Sequence, residues 1–279
     1  MNRVAELFGV YCDGTHSITD ALSAQICPYT GKKCYKTRKS SPQTAIGTCT
    51  VWQQNENLII CPSRLLENNQ IFLDCLHLLL LHEPGNEIYA VPEVSVPGGS
   101  VDYFLVSAKA GKVKDFAGIE LQTLDTTGTV WPDRQRLLRE YGFPADVQDL
   151  KNRRGFGINW KMTAKTILMQ MHHKAETFES LGKHIVLVIQ RPFLGYILRT
   201  FSFSHIQGVR IGDSVHIHSY DLEGYDNGLK LTLDSRISTD SSGIAKGLGL
   251  SVSPHLEIEE LNAALEKKLC EQYRLKLFS

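Results

Sequence analysis

Apolar and polar positions change their period several times along the chain, and each change predicts an element. In PSRLLENNQIFLDCLHLLLL, residues 62–81, the apolar positions Leu65, Leu66, Phe72, Leu73, Leu76 and Leu80 recur at helical spacing. Ser63 reads as its N-cap and Pro84-Gly85 as its stop. An acidic hairpin follows through about residue 124. Residues 125–160 are mixed, with TTG, WP, FP and RRGFG marking loops around a short helix near 134–141. Over 162–181, Ala164, Ile167, Leu168, Met171, Ala175, Phe178 and Leu181 form one helical stripe that Gly182 ends. HIVLVIQ, residues 184–190, is an unbroken β-branched run, as expected of a strand buried on both faces. Residues 196–240 alternate in YILRTFSFSHI and SVHIHSYDL and predict one or two hairpins. Pro254 opens a last helix with Ile258, Leu261, Leu265, Leu269 and Tyr273 on its buried stripe. Helix, meander, helix and strand together predict an α/β arrangement around a mixed central sheet.

Composition narrows the class of protein. At 279 residues, 42% hydrophobic and 22% charged, the chain suits one large domain or two small ones. A boundary is expected near residue 62, where a Cys- and Lys-rich stretch of poor core-forming composition gives way to the apolar helix; this divides the chain into 1–62 and 63–279. The start lacks a signal peptide's apolar run and no stretch approaches the ~20 apolar residues of a membrane span, so a cytoplasmic protein is expected. Basic and acidic residues number 30 each, so any nucleic-acid surface must come from local segregation of charge.

The densest candidate chemistry lies in EVSVPGGSVDYFLVSAKAGKVKDFAGIELQ, residues 93–122. Side chains alternate faces along a strand, so Glu120 and Gln122 share one face. Asp102 and Glu120 lie at equal distances either side of Gly111, and a symmetric hairpin sets their Cβ atoms about 5 Å apart. Two such carboxylates repel unless a cation lies between them, and oxygen ligands suit Mg²⁺. The plain alternative is a strand decorated with exposed acids. Against it, Glu120 sits in the apolar run FAGIELQTL, where an unpaired carboxylate is costly to bury.

Cysteines form a second constellation. Cys27, Cys34, Cys49 and Cys61 fall within the first segment, flanked by turn residues, and a thiol set in a cytosolic protein points to metal more than to disulfides. Cys75 and Cys270 fall on helical apolar stripes and read as core thiols, while Cys12, near His16, is a substitute ligand or a structural thiol. Two basic clusters offer positive surface. One is Lys32, Lys33, Lys36, Arg38 and Lys39; the other is Lys151, Arg153, Arg154 and Lys161, beside Asn159 and Trp160. Each is a solvated loop or a set of phosphate and base contacts.

An acid, a hairpin and then (D/E)-x-K or a variant of it is the signature of the PD-(D/E)xK nucleases. ICPYTGKKC, GTC, IICPSRL, EVSVPGGSVDYFLV, FAGIELQTLDTTGT and FGINWKMTAKTILMQMHHK together resemble restriction endonucleases of the NotI type over residues 26–190. The resemblance implies a restriction-endonuclease-like core and Mg²⁺-dependent, sequence-specific cleavage of double-stranded DNA at a palindromic, GC-rich site. It also implies a homodimer, and a cognate DNA methyltransferase in the same bacterial system but outside any complex. Asp102 and Glu120 become Mg²⁺ ligands, and Gln122 takes the place that lysine holds in most of the superfamily. Glu93 is an outer catalytic candidate or an exposed strand-edge acid. The cysteines Cys27, Cys34, Cys49 and Cys61 become ligands of one structural iron, with zinc the chemically close rival. The alternative function is a non-catalytic, metal-stabilised DNA-binding protein.

Overall fold

The computed structural model describes residues 3–152, 155–206, 208–225, 228–250, 262–263 and 266–267. Most of the expected helix from Pro254, including Ile258, Leu261, Leu265, Leu269 and Tyr273, lies outside the described residues, as do Cys270, Arg153 and Arg154.

Strands β1 (Val4–Leu7), β2 (Val10–Tyr11), β5 (Thr48–Gln53) and β6 (Glu56–Ile59) make a four-stranded sheet in the order β2-β1-β5-β6. Between them come helix α1 (Thr19–Ala24) and the small pair β3 (Thr37–Arg38) and β4 (Ser41–Ala45). The central sheet has six strands in the order β14-β13-β12-β9-β8-β7. Its members are β7 (Glu87–Val96), β8 (Gly99–Lys109), β9 (Lys112–Leu121), β12 (His184–Gln190), β13 (Val215–Tyr225) and β14 (Gly228–Thr239). The meander β7-β8-β9 is antiparallel, β9-β12 and β12-β13 are parallel, and β13-β14 is antiparallel. The protein is therefore a mixed α/β fold on a mixed sheet.

Parallel neighbours need crossover connections, and helices supply them. From β9 the chain passes through β10 (Thr126–Thr127), α3 (Trp131–Glu140), α4 (Val147–Lys151), β11 (Gly157–Ile158) and the long helix α5 (Trp160–Ser180) before entering β12. Helix α6 (Arg191–Thr200) then links β12 to β13, and α7 (Ser241–Gly247) follows β14.

Strand β12 shows why its run is continuously apolar. Ile185, Leu187 and Ile189 point into the core beneath α5 and α6, while Val186 and Val188 point into a second core on the other face. The stripe of α5 fills the first core with Ala164, Ile167, Leu168, Met171, Ala175 and Phe178. Gly118 of β9 leaves room for the Phe178 ring: a Cβ there would lie 2.5 Å from it.

Two expected elements differ from the sequence reading. Residues 62–81 do not form one helix but a 3₁₀ segment Pro62–Asn69, the short α2 (Gln70–Leu73) and a 3₁₀ turn Leu76–Leu78. Asn68 and Asn69 adopt left-handed φ of 52° and 57°, which breaks the helix and leaves Leu73 and Leu80 exposed. The first turn begins on Cys61 with Pro62 at N1, so Ser63 is not its N-cap. YILRTF, expected to alternate as a strand, ends helix α6, where Pro192 opens the first turn and Phe193, Leu194 and Ile197 are buried on one side.

The N-terminal sheet is bound to the central sheet through polar links. The Gln190 amide accepts from Ile59 N at 2.9 Å and donates to Asn57 O at 2.6 Å, and Leu124 N donates to Ile59 O at 3.2 Å. Arg64, fully buried, donates to Glu6 of β1 at 2.9 Å and to Leu229 O of β14 at 2.8 Å. Removing one member of such a buried pair costs roughly 3–5 kcal/mol, because the other charge is stranded.

Candidate active site

The meander places three acids in a row. Pairs Pro92↔Tyr103 and Val94↔Val101 flank Glu93 opposite Asp102, and the β8-β9 register, Tyr103↔Ile119, sets Asp102 opposite Glu120. The hairpin turn is Ala110-Gly111, both with positive φ of 51° and 72°, as a two-residue type I′ turn requires. Counted from that turn alone, Asp102 would face Ile119. Lys114, the extra residue between the pairs Ala108↔Val113 and Ser107↔Asp115, advances the register by one and brings Glu120 across from Asp102.

Both carboxylates are fixed by the backbone. Asp102 Oδ2 accepts from Leu121 N at 2.8 Å, while the Asp102 backbone N–H favours the charged form of Glu120. Asp102 is half-buried and Glu120 is buried. Burial raises the Glu120 pKa to about 7; a hydrogen bond from Lys174 opposes this and the charge of Asp102 reinforces it.

Lys174, from helix α5, was not singled out in the sequence. It is 4% exposed, its ammonium pairs with Glu120 Oε1, and it donates to Ser100 O at 2.6 Å. The available signal was its position: Lys174 falls on the apolar stripe between Met171 and Phe178, where a cation has no solvent to face. The PGGS turn between β7 and β8 brings Ser100 to it. Gly98 has φ of 93° and lies against α5 so closely that a Cβ would be 3.1 Å from the His173 backbone. Thr177 Oγ1 donates to Pro97 O at 3.0 Å and holds the same turn.

Gln122 continues the face of Glu120 just past the end of β9, and its Nε2 donates to Thr123 O at 2.6 Å. Glu93 is exposed, and its left-handed φ of 51° turns it out of the regular pleat. It shares an open pocket of about 320 Å³ with Asp102, Tyr103, Leu121, Ser63 and Tyr35.

A scan against protein-family models finds no match to this chain, and a search of curated proteins finds none either.

The cysteines gather on a neighbouring cavity. Cys27, Cys34, Cys49 and Cys61 all line one enclosed space of about 10 Å³, together with Phe8, Tyr35 and Ser63. Cys27 and Cys34 bracket a tight loop, with Gly31 N donating to Cys27 O at 2.9 Å and Cys27 N donating to Lys32 O at 2.8 Å. Gly47, at φ of 68°, has no room for a Cβ against the Phe8 ring, and two residues later Cys49 enters β5. Burial raises the Cys49 pKa well above the ordinary thiol value, and neighbouring Cys61 raises it further. A divalent cation reverses both effects by binding thiolates outright, so the four thiols are donors of the type a tetrahedral iron or zinc takes. As placed, no three His, Cys, Asp or Glu side chains among the described residues are gathered as a ligand set. The Cys49 thiol donates instead to Gly47 O at 3.5 Å.

The remaining candidates disperse. Cys75 is buried, as expected. Cys12 does not line the four-cysteine cavity; its thiol donates to Val10 O at 3.4 Å, while His16 pairs with Asp13 at 3.0 Å. In the first basic cluster, Arg38 is held by both oxygens of Asp149 at 2.7 and 3.1 Å, and Lys36 donates to Ile60 O at 2.9 Å. Lys32, Lys33, Lys39, Lys151 and Lys161 are exposed. Among the described residues, no helix is long and apolar enough to cross a membrane.

Proposed function

We propose that the protein is a Mg²⁺-dependent, sequence-specific endonuclease of double-stranded DNA with a restriction-endonuclease-like core. The observation that carries this reading is the register that sets Asp102, which lines an open pocket with Glu93, against the buried Glu120. Asp102 and Glu120 are the residues to hold the cation. Their oxygen donors suit Mg²⁺, and a cation would offset the burial penalty and mutual repulsion that raise the Glu120 pKa. Bound there, Mg²⁺ supplies Lewis-acid polarisation of the phosphodiester and lowers the pKa of a coordinated water. The Gln122 amide orients that water by hydrogen bonding. Attack of the water oxygen on phosphorus breaks the bond to the 3′ oxygen, which takes up a proton, leaving a 5′ phosphate and a 3′ hydroxyl.

The exposed lysines around residues 32–39, with Lys151 and Lys161, supply phosphate contacts in this reading. The wider picture is that expected of such enzymes: a cytoplasmic bacterial homodimer reading a GC-rich palindrome, paired with a methyltransferase of the same system. In this reading Cys27, Cys34, Cys49 and Cys61 would hold one structural iron or zinc. Plasmid or phage DNA incubated with the pure protein, with and without Mg²⁺, should yield discrete fragments only with the metal. Duplex binding without cleavage would favour the alternative, a non-catalytic metal-stabilised DNA-binding protein.

A further inference from the structure

We propose that Lys174 is the positioning cation of the acid site, supplying from helix α5 the positive charge that the neutral amide of Gln122 cannot. The inference rests on the nuclease reading and assigns a role within it. A lysine on the core stripe of a helix gives up its hydration and is tolerated where its ammonium is paired with a carboxylate and hydrogen-bonded. Here the ammonium has two partners, Ser100 O and Glu120 Oε1. An ammonium carries three hydrogens, and among the described residues the third has no acceptor. The site therefore retains one charged donor beside a carboxylate assigned to the metal.

The surrounding backbone serves this placement. Gly98 and Gly99, with φ of 93° and 128°, let the turn between β7 and β8 approach α5. A Cβ on Gly99 would meet Lys174 Cε at 3.5 Å. Ser100 O thus reaches the ammonium from one side while Glu120 reaches it from the other. Gln122 is uncharged and its Nε2 donates to Thr123 O, so the strand contributes no cation at the position two residues after Glu120. With one carboxylate oxygen of Glu120 held by Lys174, the other is left for a metal.

The test uses the full chain and single-turnover cleavage of plasmid DNA in Mg²⁺, alongside thermal melts and DNA affinity measured in Ca²⁺. Lys174→Met should lower the cleavage rate at saturating DNA by about 10²-fold or more, with affinity little changed. Lys174→Arg, which keeps the charge, should retain cleavage within about tenfold of wild type. In Lys174→Met/Gln122→Lys, which returns the cation to the strand, cleavage should recover at least tenfold over Lys174→Met at equal folded fraction. A purely structural role predicts no such recovery. A folded Lys174→Met chain cutting within threefold of wild type overturns the assignment, as does a double variant no better than Lys174→Met alone. If Lys174→Met does not fold, Lys174→Gln, which removes the charge but keeps a hydrogen-bond donor for Ser100 O and Glu120, takes its place in both the single and the double variant under the same criteria. A wild-type chain that cuts nothing in Mg²⁺ or Mn²⁺ overturns the nuclease reading itself and takes this assignment with it.

Discussion

Asp102 faces Glu120 across the β8-β9 hairpin because the second strand holds one residue, Lys114, more than the first. A one-residue slip in such a pair would send one carboxylate to the opposite face of the sheet. The pairing of the two acids thus depends on a bulge some distance from them.

Asp102→Ala and Glu120→Gln should each abolish Mg²⁺-dependent DNA cleavage. A metal site contributes several kcal/mol to a phosphoryl-transfer barrier, which corresponds to a loss of about 10²-fold or more. Circular dichroism and melting should show a folded chain in both cases. Undiminished cutting by both variants would remove the assignment of these acids to the metal.

Elemental analysis of the purified chain should return about one iron or zinc per molecule. Cys34→Ala or Cys49→Ala should release it and lower the melting temperature, because metal binding to such a site is folding free energy. A metal-free wild-type chain of unchanged stability would count against the thiolate site.

Much of this was legible in the sequence, for identifiable reasons. HIVLVIQ read correctly as a doubly buried strand because its period was unambiguous, and the stripe of α5 was long enough to declare itself. The short run YILRTF was not: six residues fit either period, and the buried set Phe193, Leu194 and Ile197 decided for a helix. Residues 62–81 had a helical stripe, but Asn68 and Asn69 in left-handed conformation overrode it. Counting from Gly111 gave the right acid pair only because a two-residue turn and a bulge offset each other. Lys174 stayed hidden because a lysine in a helical pattern reads as solvated until its burial is known.

Acid should destabilise the protein through the buried imidazoles of β13. Burial lowers the His216 pKa to about 4, with His184 adding to the effect, and lowers that of His218 to about 3, with Arg236 adding. Around them stand His77 and Cys75, Asp213, whose carbonyl meets His216 Nε2 at 3.1 Å, and Asp74, which pairs with Arg236 at 3.4 Å. In the unfolded chain these histidines titrate near 6.5, so protons bind the unfolded state more tightly. Their stabilisation is whole above that pH and is lost as pH falls toward 4. Between pH 7 and 5 the loss is about 2 kcal/mol per imidazole. Glu120, whose pKa burial raises to about 7, holds its proton more tightly in the folded chain and offsets part of this loss over the same window. His218→Leu should therefore lose less melting temperature between pH 7 and 5 than wild type; an unchanged slope would refute the account.

Gly98→Ala should destabilise the chain by about 1–3 kcal/mol, because a side chain at positive φ is strained and its Cβ meets the His173 backbone at 3.1 Å. The melting temperature should drop by several degrees. Wild-type stability would show that the turn can move off α5 without cost.

The acid row comes from three strands consecutive in the chain, whereas its buried cation arrives on a crossover helix more distant in sequence. Contacts of short sequence separation form early in folding, and long-range ones follow once the loop closes. The helix that buries its apolar stripe against the sheet is the same one that sets a cation on Glu120, so the packing of α5 and the relief of repulsion between the two acids depend on one docking.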